Sequence, residues 1–477
     1  MTGPEAAILG AAYALLQAFG VLAAGRAVME ARTAQGAAAW AVALVAFPLL
    51  ALPLFLVFGQ SRFADYLAAR RAALAEFRAM QQRMQAALRR RRLLTATRYT
   101  RDVPFERLAK LPFTGGNAAT LLVDGAATFD SIFAGIAAAR DYVLVQFYIL
   151  RDDRIGRELL ARLLERAAAG VRVHLLYDEV GSFRLPRAYV GALRAGGVEV
   201  HAFHAVGRGA GRLHLNFRNH RKIVIVDGRR AWVGGLNVGD EYLGRDPRIG
   251  PWRDTHLCIE GPAVQCVQVS FCEDWHWAAG RPLRLQWDPV EAAGGGHSVL
   301  CLPSGPADEL ETCTLFFIAA IGHARSRLWV ASPYFVPDEQ FVTALQLAAL
   351  RGVDVRVLLP ERSDNPLVGL SGWSYVEALE QAGVAMYRYQ DGFMHQKVTL
   401  IDDDWCTVGT ANFDNRSFRL NFELTMAVLD RRLAAQVRAM LQRDFGRARR
   451  MRASELRARP LWFRFAVRLA RLSAPVQ

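Results

Sequence analysis

His220-Arg221-Lys222-Ile223-Val224-Ile225-Val226-Asp227, followed by Gly234-Gly235-Leu236-Asn237, returns 175 positions later as His395-Gln396-Lys397-Val398-Thr399-Leu400-Ile401-Asp402, followed by Gly409-Thr410-Ala411-Asn412. The likeness extends upstream, where 170–177 resembles 352–359 and 140–148 resembles 325–334, with offsets that widen as loop insertions would cause. Self-similarity of this kind marks two homologous halves. Apolar runs at 143–149, 171–177, 223–226 and 231–234 alternate with helical patterns such as 157–169, and in the second half 309–323 and 340–351. Strands separated by helical crossovers predict an α/β fold, with mixed β-sheets flanked by helices and the halves related by a pseudo-twofold axis.

The repeat also holds the chemistry. The chain carries 59 basic residues, yet only Lys110, Lys222 and Lys397 are lysine. Where positive charge alone is needed the sequence uses arginine, and two of its three lysines fall in the repeated His-x-Lys. A compact ammonium and a planar guanidinium are not interchangeable, so these positions ask for a point charge, as beside a phosphate. On an extended strand His220 and Lys222 project from one face, as do His395 and Lys397. One pair from each half can then converge at the seam, with one imidazole as nucleophile and the other as acid and base. Asn237 and Asn412 are expected to supply amide donors to phosphoryl oxygens. Asp227 and Asp402 lie an odd step beyond their lysines and belong to the motif; a structural ion pair or turn contact is expected of them rather than proton transfer.

The remaining histidines match no partner motif. His214, His256 and His323 read as structural or peripheral, and His174, His201, His204, His276 and His297 form no ligand-spaced metal cluster. Six cysteines without a C-x-x-C pair suggest neither a disulfide framework nor a zinc site, and fit a reducing compartment. No metal and no cofactor is expected.

The 477 residues are 52% apolar, which excludes disorder and hints at lipid contact. Segments 6–24 and 37–58 are free of charge and near the roughly 20 residues that cross a bilayer, so they predict a two-helix transmembrane hairpin. No basic residue precedes the first of them, against the pattern of a cleaved signal peptide. Pro48 and Pro53 inside the second are tolerated in membrane helices. The connecting loop has Arg26 and Arg32 as its basic residues, whereas 61–101 carries eleven arginines against Asp65 and Glu76. Positive charge stays on the cytoplasmic side, which places the large C-terminal part there. That neck, with Leu67, Leu74, Phe77 and Met84 at helical spacing, accounts for +9 of the net +14 and reads as a juxtamembrane segment for anionic lipid. The tail from Arg459 to Leu472 is again basic and amphipathic and is expected to lie at an interface.

The chain resembles the phospholipase D superfamily, whose signature is a pair of HKD motifs, and within it the bacterial cardiolipin synthases of the membrane-hairpin type. The wider resemblance rests on the hairpin ending Leu-Val-Phe-Gly59, on Asn216-Phe-Arg-Asn-His-Arg-Lys222, on Ser332-Pro-Tyr-Phe-Val-Pro-Asp338 and on Asn412-Phe-Asp-Asn-Arg-Ser-Phe-Arg-Leu-Asn-Phe-Glu423. It implies that His220 attacks phosphorus to give a phosphatidyl-histidine while His395 protonates the leaving alcohol, with the two roles exchangeable. It also implies a downstream acid orienting each imidazole: Glu423 for His395, and Asp254 as the first-half counterpart. Thr410 stands where the superfamily usually has Ser and keeps the hydroxyl. The domain plan that follows is 1–60 transmembrane hairpin, 61–101 basic juxtamembrane helix, 102–290 and 291–450 phospholipase D-like halves, and 451–477 basic amphipathic tail.

The implied reaction is phosphatidyl transfer between two phosphatidylglycerol molecules, giving cardiolipin and glycerol. Exchange of one phosphodiester for another needs no nucleotide, and no Walker motif is present. The expected partners are anionic phospholipids and the bilayer, not nucleic acid. Hydrolysis of phospholipid, or transfer to another alcohol, and a lipid-binding scaffold are the alternatives.

Overall fold

Ile223–Val226 and Val398–Ile401, the apolar ends of the two repeated stretches, are buried strands at equivalent places in one continuous sheet. The computed structural model describes residues 3–31, 34–59, 66, 74–95, 103–203 and 217–477. From one edge the first half contributes Glu199–Phe203, Arg172–Asp178, Tyr142–Phe147, Ile223–Val226, Arg230–Gly234, Thr255–Glu260 and Thr114–Val123. The second half then runs His297–Ser304, Asn421–Leu429, Trp405–Gly409, Val398–Ile401, Arg327–Ala331, Asp354–Pro360 and Ala385–Tyr389. The same seven-strand order is thus laid out twice, in opposite senses from a central joint. Of these seven strands the three farthest from the joint pair in parallel in each half and the inner ones antiparallel, and Ala448–Arg450 adds antiparallel to Ala385–Tyr389 at the second half's edge.

The joint is antiparallel pairing of Thr114–Val123 with His297–Ser304, broken by a register shift between Thr114 and Asn117. Side-chain alternation puts Leu144 in the main core and Val143 and Val145 in a second core beneath the helix Arg154–Ala168. Strands covered on both faces read as continuous apolar runs, which is why these were visible in the sequence. The main core joins Leu257 and Ile259 of one half to Leu300, Leu302 and Val428 of the other.

At the N-terminus the helix Gly3–Glu30 contains an apolar span, Ala7–Glu30, long enough to cross a membrane. The second apolar segment is not one helix: it divides into Ala34–Ala46 and Pro48–Phe58. Phe47 has φ −136° because Pro48, which has no N–H to donate, opens a new helix, while Pro53 is accommodated inside it. The helices pack closely where side chains are small. A Cβ on Gly20 would lie 2.4 Å from the Leu44 carbonyl oxygen, and Gln17 Nε2 donates to the Val45 carbonyl at 2.7 Å.

In the neck, the helix Leu74–Arg90 lays Met84 and Leu88 into the main core and leaves Arg89, Arg90, Arg91 and Arg92 exposed. Arg91 pairs with Asp288 at 2.7 Å, so part of the basic run is tied to the body. Arg32, Leu67, His204, His214 and Asn216 lie outside the described residues.

Candidate active site

Each His-x-Lys occupies the gap between two strands, not the interior of one. Arg218–Asn219 and Phe393–Met394 are two-residue strands, and the main strands start only after Lys222 and Lys397. Each short strand pairs in parallel with the opposite half. Arg218 and Asn219 face Asn421 and Phe422, while Phe393 and Met394 face Trp252 and Arg253. The His220 N–H donates to the Phe422 carbonyl at 2.9 Å, and the His395 N–H to the Arg253 carbonyl at 2.8 Å.

The next residue in register on each partner strand is a carboxylate. His220 Nδ1 is 2.9 and 3.0 Å from the Glu423 oxygens, and His395 Nδ1 is 2.8 Å from Asp254 Oδ2. The pairing expected from the resemblance, Glu423 with His395 and Asp254 with His220, is therefore reversed. Each motif strand is extended across the seam before it enters its own half-sheet, so its histidine meets the other half's acid. Glu423 also accepts from the Thr410 hydroxyl and, at 3.1 Å, from Asn421 Nδ2. Asp254 accepts from the Thr255 N–H at 2.8 Å and the Trp252 indole at 3.2 Å. With Nδ1–H donated to a carboxylate, Nε2 of each neutral ring carries its lone pair.

Lys222 Nζ donates to the His220 carbonyl at 2.6 Å, and Lys397 Nζ donates to the His395 carbonyl at 2.7 Å. Lys397 Nζ also lies 2.9 and 3.0 Å from the two ring nitrogens of His395. All four side chains are buried. Burial, and then the lysine charges, push His220 down to about 4 and His395 down to about 3, against the opposing pull of the carboxylates. The charge of Lys397 also acts on His220 and that of Lys222 on His395, so the two halves are electrostatically linked. Burial lowers Lys397 to about 8 and Lys222 well below the ordinary lysine range. Burial raises the carboxylates, but the histidines and lysines outweigh it and hold Asp254 and Glu423 below their usual values. The result is a buried cluster in which two neutral imidazoles, each held by a carboxylate, lie with two lysines whose ammonium groups an anionic ester would favour.

Asp227 and Asp402 do not join this cluster. Asp227, at φ 52°, accepts the N–H groups of Arg140, Asp141 and Tyr142, and Asp402, at φ 51°, those of Arg325, Ser326 and Arg327. They fix the turn after each motif strand to the start of its neighbour. Asn237 Nδ2 donates to the Tyr242 hydroxyl at 3.0 Å while its Oδ1 accepts from the Ile149 N–H at 3.1 Å, so its amide braces the loop. Asn412 is buried, and its Oδ1 has no hydrogen-bond partner among the described residues. Gly235, the counterpart of Thr410, has no room for a side chain: a Cβ there would sit 2.0 Å from Asp254 Oδ1.

Two aromatic residues at the site went unrecognised in the sequence. The Tyr148 ring lies 5.0 Å from His220 with Lys222 Nζ 5.4 Å from its centroid, and Trp252 lies 5.0 Å from His395. The signal for Tyr148 was present, because the upstream repeat ends on Tyr148 in one half and Tyr334 in the other. Trp252 has no such internal counterpart.

A family profile described as "Cardiolipin synthase, PLD-like domain" matches residues 132–271 and 317–445, one segment in each half. The chain is 48% identical over 468 residues to a cardiolipin synthase A of Pseudomonas putida, covering 97% of this chain and 96% of that protein. It is 46% identical to one of Pseudomonas aeruginosa, covering 98% and 96%. Among solved structures, a phosphatidylserine synthase of Haemophilus influenzae superposes with a TM-score of 0.62 at 15% identity, covering 80% of this chain and all of that one, which shows a shared fold.

Proposed function

The chain belongs to the cardiolipin synthase family with the phospholipase D-like domain, and on that premise we propose that it transfers phosphatidyl groups between two phosphatidylglycerol molecules, releasing cardiolipin and glycerol. It is a phosphatidyltransferase of the phospholipase D type, a membrane-associated bacterial protein whose substrates are phospholipids. The observation that carries the mechanism is the paired arrangement of imidazole, lysine and opposite-half carboxylate. His220 is neutral, with Nε2 free to attack phosphorus, and Glu423 holds its Nδ1–H and stabilises the positive ring that forms. As the N–P bond forms, the P–O bond to glycerol breaks and His395 delivers a proton to the departing oxygen. The bound phosphodiester anion offsets the charges of Lys222 and Lys397, which raises the proton affinity of His395 in the complex. The hydroxyl of a second phosphatidylglycerol then attacks, its proton passes to His395, and the N–P bond breaks. Lys222, Lys397 and Asn412 steady the phosphoryl oxygens. Asp227, Asp402 and Asn237 act one step removed, by fixing the strands and loop that present these groups.

The roles divide the chain as 1–60 membrane hairpin, 61–101 neck, 102–290 and 291–450 the two halves that share the reaction, and 451–477 tail. The arginine excess of the neck supports a cytoplasmic catalytic body and a multi-pass anchor. The purified protein, given phosphatidylglycerol without nucleotide, is expected to yield cardiolipin and glycerol, whereas phosphatidic acid as the product would make it a hydrolase. His220→Ala and His395→Ala should each reduce turnover by about 10⁴-fold or more, as loss of a nucleophile or of its acid does. Full activity in either variant sinks the mechanism.

A further inference from the structure

The tail helix Leu461–Arg471 has two apolar faces and a basic one. Phe463, Val467 and Ala470 turn inward, with Val467 and Ala470 buried, and the helix packs on Pro366–Trp373. Leu461, Trp462, Phe465, Leu469 and the following Leu472 are 77, 70, 68, 56 and 77% exposed. At about 100° per residue these five fall within one arc of about 100°. Arg464, Arg468 and Arg471 form a neighbouring strip along the same helix, all exposed. A soluble body does not ordinarily show so continuous an apolar face.

The helix is also fixed to the reaction centre. Gln477 is buried; its carbonyl accepts from the Arg416 N–H at 2.7 Å, and its Nε2 donates to the Ala470 carbonyl at 3.0 Å. Arg416 belongs to the short helix Asn415–Arg419, between Asn412 and Glu423. Arg471 lies over the Tyr375 ring at 5.5 Å, which ties down the other flank.

We propose that this face is a membrane-docking surface of the catalytic body: Leu461, Trp462, Phe465, Leu469 and Leu472 lie in the acyl border of an anionic bilayer, with Arg464 and Arg468 at its phosphates. Guanidinium beside an apolar strip is complementary to the boundary between phosphate and acyl chain. The contact is separate from the N-terminal spans. Those retain the chain in the membrane; the tail sets how the pocket faces it. The proposal takes from the functional reading only that the chain works at a lipid surface.

The six native cysteines are buried, so a spin label on full-length Phe465→Cys reports one position. In vesicles of phosphatidylcholine and phosphatidylglycerol the label is expected to be shielded from an aqueous nickel chelate and open to oxygen, while a label on Glu158→Cys stays open to the chelate. Equal chelate access at both positions overturns the proposal. Shielding that grows with protein density at fixed lipid, as a contact between copies would produce, also overturns it. In a second measurement, Phe465→Asp with Leu469→Asp should lower turnover of vesicle phosphatidylglycerol about tenfold and leave turnover of a short-chain monomeric form unchanged. Equal loss on both substrates counts against docking. If the unaltered chain makes no cardiolipin at all, the functional reading fails, and the depth of the label still decides this one.

Discussion

Lys397 is the residue on which the electrostatics of the pocket converge. Its ammonium touches the His395 ring and its charge reaches His220, yet burial lowers its proton affinity to about 8. Below that pH it is a cation ready for phosphate; above it, an uncharged amine. Because the chain has only three lysines, selective ζ-¹⁵N labelling gives few enough signals to assign by substitution. One signal should titrate near pH 8 in the free protein and move to higher pH when phosphatidylglycerol is added, since the phosphodiester favours the charged form. A value near the ordinary lysine pKa of about 10.4 would refute the burial argument. The same scale explains why arginine does not serve. A guanidinium in place of the buried ammonium would need room for a planar fork in a space already occupied by an imidazole.

Among the elements, two-residue strands decide the chemistry. Arg218–Asn219 and Phe393–Met394 each add to the opposite half, and one further step in register brings histidine to carboxylate. Glu423 should therefore serve the step at His220, and Asp254 the step at His395. A phosphatidyl donor with a nitrophenol leaving group separates them, because such a leaving group needs no acid. With the trapped phosphate mapped to His220, Glu423→Gln should slow the nitrophenol burst about a hundredfold. Asp254→Asn should keep the burst and let the phosphatidyl-enzyme accumulate, because its base for the second step is misplaced. The opposite pattern would mean that each carboxylate serves its own half. The helices show the same dependence on neighbours. The Leu74–Arg90 helix is amphipathic in sequence, and what its apolar side met was the core at Met84 and Leu88.

Taken whole, the molecule is two copies of one sheet joined edge to edge, with a core that runs through the joint. Leu300 is fully buried at that joint, and Leu300→Ala should cost about 2–5 kcal/mol. Urea unfolding followed by tryptophan fluorescence should move as a single transition, since Trp232 and Trp275 report on one half and Trp329 and Trp405 on the other. Two separated transitions would show that the halves are independent. The duplication, the alternation of strand and helix, the His-Lys pairs and the apolar N-terminal segments are determined by the sequence alone. Each is written in local spacing or composition: an apolar run for a buried strand, a repeat 175 positions apart, a run without charge. The tertiary structure alone decided which acid holds which imidazole, where Pro48 divides the second apolar segment, and how the neck and tail meet the body. The histidine–carboxylate bonds close across 203 and 141 residues. A hydrogen bond depends on a separation of about 3 Å in space, and over such lengths of chain only the register of one strand on another sets that distance.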